Sequence, residues 1–359
     1  MDRDRLVQTF FDLVAIDSPS GEEEAVATEI GRRLEALGAR VQRDAHGNLA
    51  ARLKGEGTPF LLSAHMDTVE PGRGIRPIVD GDRVHTDGST ILGGDPKAGV
   101  AAILEGLTAL HEAGTRHRAV EVVLSRGEEV GLEGSRNLDY SLVTAREGVV
   151  MDGEGAVNEI TDAAPAQYFV DVEVHGRAAH AGVEPEKGIP AIRIAAELIV
   201  ALPQGRLDPE TTANVGMISG GSARNAVPER TTVRGEFRSR NPDTLQTLAQ
   251  EYEAAVAEVS ARHPGARVEM TLTRVFDGYR LSGEHPVIAA CTAALATLGM
   301  TPSLHPSGGA TDANIFAGHG IAAAVVGLGG SQFHTTREEL SIANLVNGAR
   351  FVEALLTAL

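Results

Sequence analysis

The sequence predicts an α/β protein of two domains, with a smaller α+β unit inserted into a larger α/β unit. Three observations carry this. The chain has 359 residues, more than one ordinary hydrophobic core organises. Short, mostly apolar runs at 60–64, 119–124 and 148–151 read as strands buried on both faces of a sheet. From 167 to 175 the pattern becomes alternating, with Tyr168, Val170, Val172 and Val174 on one side, which marks a strand with one wet face; the buried style returns after 284. The inserted unit is expected over 165–282 and the larger one over 1–164 and 283–359.

Composition bounds the function. A hydrophobic fraction of 42% with 23% charged residues belongs to a soluble globular chain. A net charge of −17 argues against nucleic acid, whose phosphates need clustered Lys and Arg. The N-terminal Met1-Asp2-Arg3-Asp4-Arg5 lacks the apolar stretch of a signal peptide, and no segment has the apolar length of a membrane span. A single cysteine, Cys291, leaves no pair for an intramolecular disulfide and fits a reducing compartment. A cytoplasmic protein with neither nucleic-acid nor membrane partners is expected.

Taken in order, helical periodicity covers 4–16 and 22–37, with Ser20 as N-cap before the acidic turn Glu22-Glu23-Glu24 and Gly38 as the stop. Strands follow at 39–44, 49–54 and 59–64. The last runs into His65-Met66-Asp67. Residues two apart in an extended chain face the same side, imidazole is a common zinc ligand, and a neighbouring carboxylate orients the ring. In isolation, the simpler account of His-x-Asp is a strand end whose Asp caps a turn.

A loop over 70–92 is long for a compact domain, and such loops usually have a functional reason. It ends in Gly93-Gly94-Asp95-Pro96-Lys97-Ala98-Gly99, ahead of a helix from Val100 to His111, which places Asp95 at the N-cap and Pro96 first in the helix. This glycine-rich turn lacks the Walker spacing, so phosphate binding is not expected. Strand 119–124 leads to Gly127-Glu128-Glu129-Val130-Gly131, and strand 148–151 ends at Asp152. A glutamate pair is ordinarily surface charge. Here His65/Asp67, Glu128/Glu129 and Asp152 each follow a core strand directly, along the sheet edge where open α/β proteins place their chemistry.

In the inserted unit the expected order is strand 167–175, helix 189–202, strands 211–219 and 231–239, helix 242–262 and strand 266–275. This β-α-β-β-α-β sequence resembles a ferredoxin-like sandwich. Helix 284–298, the turn Gly308–Asn314, strand 321–327, Phe333-His334 and a helix over 338–358 close the chain.

These motifs together resemble a metal-dependent exopeptidase superfamily that includes peptidase T, glutamate carboxypeptidase and acetylornithine deacetylase. The correspondence runs along essentially the whole chain: Ala64–Val69, Gly93–Gly99, Gly127–Gly131, Asp152, Gly309–Ala313 and Phe333-His334. With Gly176–Gly182 and Pro185–Gly188, the closest likeness is to peptidase T-like proteins. The resemblance implies a mixed-sheet metallopeptidase catalytic domain with an inserted ferredoxin-like dimerisation, or lid, domain. It implies two zinc ions (cobalt or manganese suit such ligands too), with Asp95 bridging them, His65 and Asp152 on one, and Glu129 and His334 on the other. It makes Glu128 the general base for a metal-activated water, Asp67 the partner of His65, and His180 the oxyanion donor. Asn225 corresponds to a substrate-contacting asparagine, and Tyr279-Arg280 offers a group for a substrate carboxylate. In relatives the histidine at the position of His180 reaches the partner subunit's site, which implies a homodimer formed through 165–282. The peptide after the bridging aspartate, here Asp95-Pro96, is implied to be cis.

The activity implied is amide hydrolysis in a small peptide, of the aminopeptidase or tripeptidase kind. An N-acyl amino acid deacylase or glutamate-type carboxypeptidase would use the same site. Pro96 departs from relatives, which often have Asp or another residue there, and the named enzymes' recognition motifs are not evident, so the substrate stays open.

Overall fold

The computed structural model describes residues 1–357 and divides into two compact units, one of Met1–Ala163 with the chain from Leu281 onward, the other of Ala164–Arg280.

The larger unit is built on a mixed sheet with the strand order Arg40–Arg43, Leu49–Leu53, Arg118–Ser125, Glu56–His65, Glu147–Gly153, Ala322–Gly327, Glu159–Ala164. The four strands from Arg118–Ser125 to Ala322–Gly327 are parallel neighbours. Antiparallel pairs flank them. In the strand Glu56–His65, Phe60, Leu61, Leu62 and Ala64 are all fully buried, as expected of an apolar run without polar alternation in a sheet covered on both faces. Helix Gly94–Ala113 lies close against this sheet: a Cβ at Gly99 would come within 2.5 Å of the Met151 carbonyl oxygen. The same helix meets the closing helix at Gly106, where a Cβ would sit 2.7 Å from Val352 Cβ. Bare glycines at these two points permit the close approach.

Several elements differ from expectation. Ser20 does not cap the second helix, Glu24–Ala36, whose N-cap position is Glu23; the Ser20 hydroxyl donates to Asp67 instead. Asp95 (φ −81°, ψ 108°) and Pro96 (φ −106°, ψ 15°) are non-helical within Gly94–Ala113. Asp95 is therefore not an N-cap, because its carboxylate is directed at two histidines. The Asp95-Pro96 peptide is cis.

The loop over 70–92 holds two short strands, Ile78–Asp80 and Arg83–His85, in a four-stranded sheet with Gly330–Ser331 and Glu339–Ser341. The last of these occupies the start of the helix expected from 338. That helix runs over Ile342–Thr357, and residue 358 of the expectation lies outside the described residues. Strands Glu159–Ala164 and Ser303–Pro306 pair in parallel with each other and carry too little apolar character to stand out in the sequence.

The inserted unit is an antiparallel sheet with the order Gly205–Asp208, Thr211–Gly220, Arg230–Ser239, Ala166–His175, Arg267–Phe276. Omitting the short edge strand Gly205–Asp208, this is the ferredoxin-like arrangement, with the unit's first long strand between its third and fourth. Val170, Val172 and Val174 pack with Ile194 and Leu198 of helix Ala191–Ala201 and Tyr252 of helix Pro242–Arg262. The period-2 pattern of the strand thus meets the apolar faces of both helices. No described helix is long and apolar enough to cross a membrane.

Candidate active site

The carboxyl ends of the parallel strands converge on one cluster. His65 is the last residue of its strand and is in register with Ser125, the last residue of the neighbouring strand. Glu128 and Glu129 follow just beyond that strand, and Asp152 lies near the end of the next. Asp95 enters from the non-helical start of Gly94–Ala113. His334 follows the fourth parallel strand and has a left-handed backbone (φ 61°), as does Gln332 (φ 57°). Such conformations in non-glycine residues gather at functional sites.

Asp95 stands between the two histidines. Its Oδ1 is 3.1 Å from His65 Nε2, and its Oδ2 is 3.2 Å from His334 Nε2. On the first side Asp152 Oδ1 is 3.2 Å from His65 Nε2; on the second, Glu129 Oε1 is 3.0 Å from His334 Nε2. Two groups of mixed nitrogen and oxygen atoms result, His65/Asp95/Asp152 and Asp95/Glu129/His334, each with its potential ligand atoms within 4.8 Å of one another. Glu128 joins His65 and Glu129 in a third group of the same span.

Asp67 is fully buried behind His65. His65 Nδ1 lies 3.0 Å from the Asp67 backbone carbonyl and 3.2 Å from Asp67 Oδ1, which also accepts the Glu128 N–H at 3.0 Å; Oδ2 accepts from the Ser20 hydroxyl at 2.6 Å and the Glu129 N–H at 3.3 Å. With Nδ1 facing Asp67, the Nε2 of His65 is turned to Asp95 and Asp152.

Burial dominates the electrostatics. It pushes the Asp152 carboxyl up to about 7 against the opposing pull of His65, and it pushes Glu128 well above the usual carboxylate range, with Asp152 adding to the rise. Burial alone would lower His65, but Asp152, Asp67 and Asp95 outweigh it and hold the imidazole well above its ordinary value. His334 is raised to about 10 by Asp95 and Glu129. Burial works to raise Asp95, yet the two histidines hold it below its ordinary value. The protein's own groups thus favour protons on both histidines, Glu128 and Asp152. A divalent cation would supply the same positive charge and displace those protons.

The residues fit such a cation. Imidazole nitrogens and carboxylate oxygens form a donor set suited to zinc. Glu129 Oε1 is buried and takes no hydrogen bond from any described residue, although His334 Nε2 is close by. A buried carboxylate oxygen so placed beside an imidazole nitrogen is available to a cation.

Further residues support the cluster and had no clear sequence signal. Glu338, 1% exposed, accepts backbone N–H groups at Leu92, Gly93 and Asp95; in sequence it is half of an acidic pair that looks like surface charge. Glu23 accepts the Gly127 N–H at 3.0 Å. Lys97 is buried and donates to the Ile16 carbonyl at 2.8 Å, and Asp312 accepts from the Ser125 hydroxyl. Lys97 and Asp312 lie within the Gly93–Gly99 and Gly309–Ala313 motifs, which were the available hints.

Within the inserted unit, His180 and Asn225 are adjacent: Ala181 N–H donates to the Asn225 carbonyl at 2.9 Å, and His180 forms an isolated bridge with Ala226. Both side chains are exposed. Arg280 is also exposed and pairs with Glu210 at 2.5 Å, so a substrate carboxylate would compete with that partner.

Comparison with known proteins agrees with this picture. Residues 48–163, which carry His65, Asp95, Glu128, Glu129 and Asp152, match the model of peptidase family M28, and residues 168–264 match that of the peptidase dimerisation domain. The uncharacterized protein YqjE of Bacillus subtilis is 39% identical over 98% of this chain and 97% of its own. The crystal structure of the aminopeptidase PepT from Bacillus cereus is 35% identical with a TM-score of 0.93, covering 99% of this chain and 98% of that one. A tripeptidase from Staphylococcus aureus is 32% identical with a TM-score of 0.95 over the same shares. Identity at this level along the full length is shared descent, and the chain belongs to the peptidase T-like M20 peptidases.

Proposed function

We propose that this peptidase is a di-zinc exopeptidase that removes the N-terminal residue of small peptides, tripeptides in particular. The observation that carries the reading is Asp95, whose two carboxylate oxygens each face a different histidine. One zinc would be held by His65, Asp95 and Asp152 and the other by Asp95, Glu129 and His334. Cobalt or manganese would occupy the same ligands. When bound, the ions polarise the peptide carbonyl and make water a stronger acid.

The chain's residues then have distinct tasks. Glu128, which is half-buried and has a raised proton affinity, takes the proton of the attacking water and returns it to the leaving amine. Asp67 fixes His65 through Nδ1 and the backbone of Glu128 through its N–H. His180 donates to the developing oxyanion, with Asn225 beside it on the substrate. The match to a peptidase dimerisation domain supports a homodimer formed through 165–282, with 1–164 and 283–359 as the catalytic domain.

The aminopeptidase and tripeptidase named among the full-length relatives favour peptides over N-acyl amino acids or glutamate-tailed substrates. A panel of di- and tripeptides, N-terminally blocked tripeptides and N-acetyl amino acids, assayed with added zinc, cobalt or manganese, tests it. Tripeptides with a free amino group should be cleaved fastest, and blocking that group should stop cleavage. Preferential turnover of N-acetyl amino acids would replace this reading with a deacylase.

A further inference from the structure

We infer that Glu338 is a positioning residue that locks the Asp95 segment to the His334 segment. Its Oε2 accepts the N–H groups of Leu92 at 2.7 Å and Gly93 at 2.8 Å, and its Oε1 accepts the N–H of Asp95 at 3.0 Å. All three partners are donors, so both oxygens must accept, which an ionised carboxylate does and an amide cannot. The side chain is 1% exposed, so no water stands ready to replace a lost bond.

The partners are distant in sequence but close to the site. Glu338 follows His334 by four residues, and its own N–H donates to the Thr335 carbonyl at 3.0 Å. One carboxylate therefore joins the turn carrying His334 to the non-helical turn carrying Asp95. Asp95 and Pro96 depart from helical geometry there, so the helix alone does not set their conformation. The fit is close: a Cβ at Gly94 would lie 3.1 Å from Glu338 Oε1. Glu338 belongs to neither candidate ligand group and reaches the site through the backbone N–H of Asp95.

This inference rests on the reading of Asp95 as a bridging ligand, and the test separates the two. Zinc affinity is measured on chelator-stripped protein by competition with a chromophoric chelator, for wild type, Glu338→Gln, Gly94→Ala and the double variant, with kcat and KM at saturating zinc. Glu338→Gln should bind zinc about 10- to 100-fold more weakly, the usual loss when a ligand's support is removed. Its kcat should fall while KM changes little. Gly94→Ala should weaken binding by a smaller factor, and its effect should vanish in the Glu338→Gln background, because both act through one carboxylate. Zinc affinity in Glu338→Gln within about twofold of wild type would overturn the inference. If that variant does not fold, undiminished affinity in Gly94→Ala overturns it. Wild-type protein that binds no zinc would take down the di-zinc reading itself, and this inference with it.

Discussion

Asp67 Oδ1 accepts the backbone N–H of Glu128 at 3.0 Å while lying 3.2 Å from His65 Nδ1. One buried carboxylate thereby links a candidate metal ligand to the candidate base, so the distance between them does not depend on two independent loops.

Asp67→Asn tests that link. An amide has one accepting end, whereas Asp67 receives donors at both: Glu128 N–H and His65 at Oδ1, Ser20 and Glu129 N–H at Oδ2. The variant should fold and lose about 10- to 100-fold in metal affinity or turnover. Metal analysis alongside steady-state kinetics checks it; wild-type values in both would remove Asp67 from the account.

Glu128 is predicted to move protons without holding metal. Glu128→Gln should keep wild-type metal content and lose about 10²- to 10⁴-fold in kcat. Elemental analysis paired with an activity assay decides, and an active variant would assign the base elsewhere.

His180 is predicted to serve the partner's site in a homodimer. Asp95→Ala and His180→Ala should each be nearly inactive, and mixing them under conditions of subunit exchange should restore part of the activity, because one intact composite site forms. No recovery despite demonstrated exchange would confine His180 to its own chain.

Lys97 gives a prediction about pH. Burial pulls its ammonium from 10.5 down to about 7, against the opposing charges of Asp17, Asp67 and Glu338. Between those values the unfolded chain holds a proton that the folded chain does not, so this residue makes stability rise as pH increases from about 7 to about 10. Denaturant melts of metal-stripped wild type and Lys97→Met across that range should show the rise in wild type and its loss in the variant. Parallel pH profiles would contradict the assignment.

The strands over 60–64, 119–124 and 148–151 were legible because they are mostly apolar runs that lead into His65, Glu128 and Asp152. The inserted unit was legible from its switch to period 2 at Tyr168. The elements that escaped are those set by long-range contact. Glu339–Ser341 looks helical in sequence, and its strand pairing depends on Arg83–His85 more than two hundred residues away. Ser20 fits the N-cap pattern, yet its hydroxyl is drawn to Asp67. Glu338 resembles solvated charge because nothing local reveals the three N–H groups that surround it.

The most direct test of the central claim is a zinc titration of the metal-stripped enzyme, following hydrolysis of a tripeptide. If Asp95 bridges two ions, activity should be absent without metal and saturate at two equivalents of zinc per chain, and Asp95→Asn should disrupt both binding steps together. Full activity in protein shown by elemental analysis to be metal-free, or saturation at one equivalent with Asp95→Asn unaffected, would contradict the account.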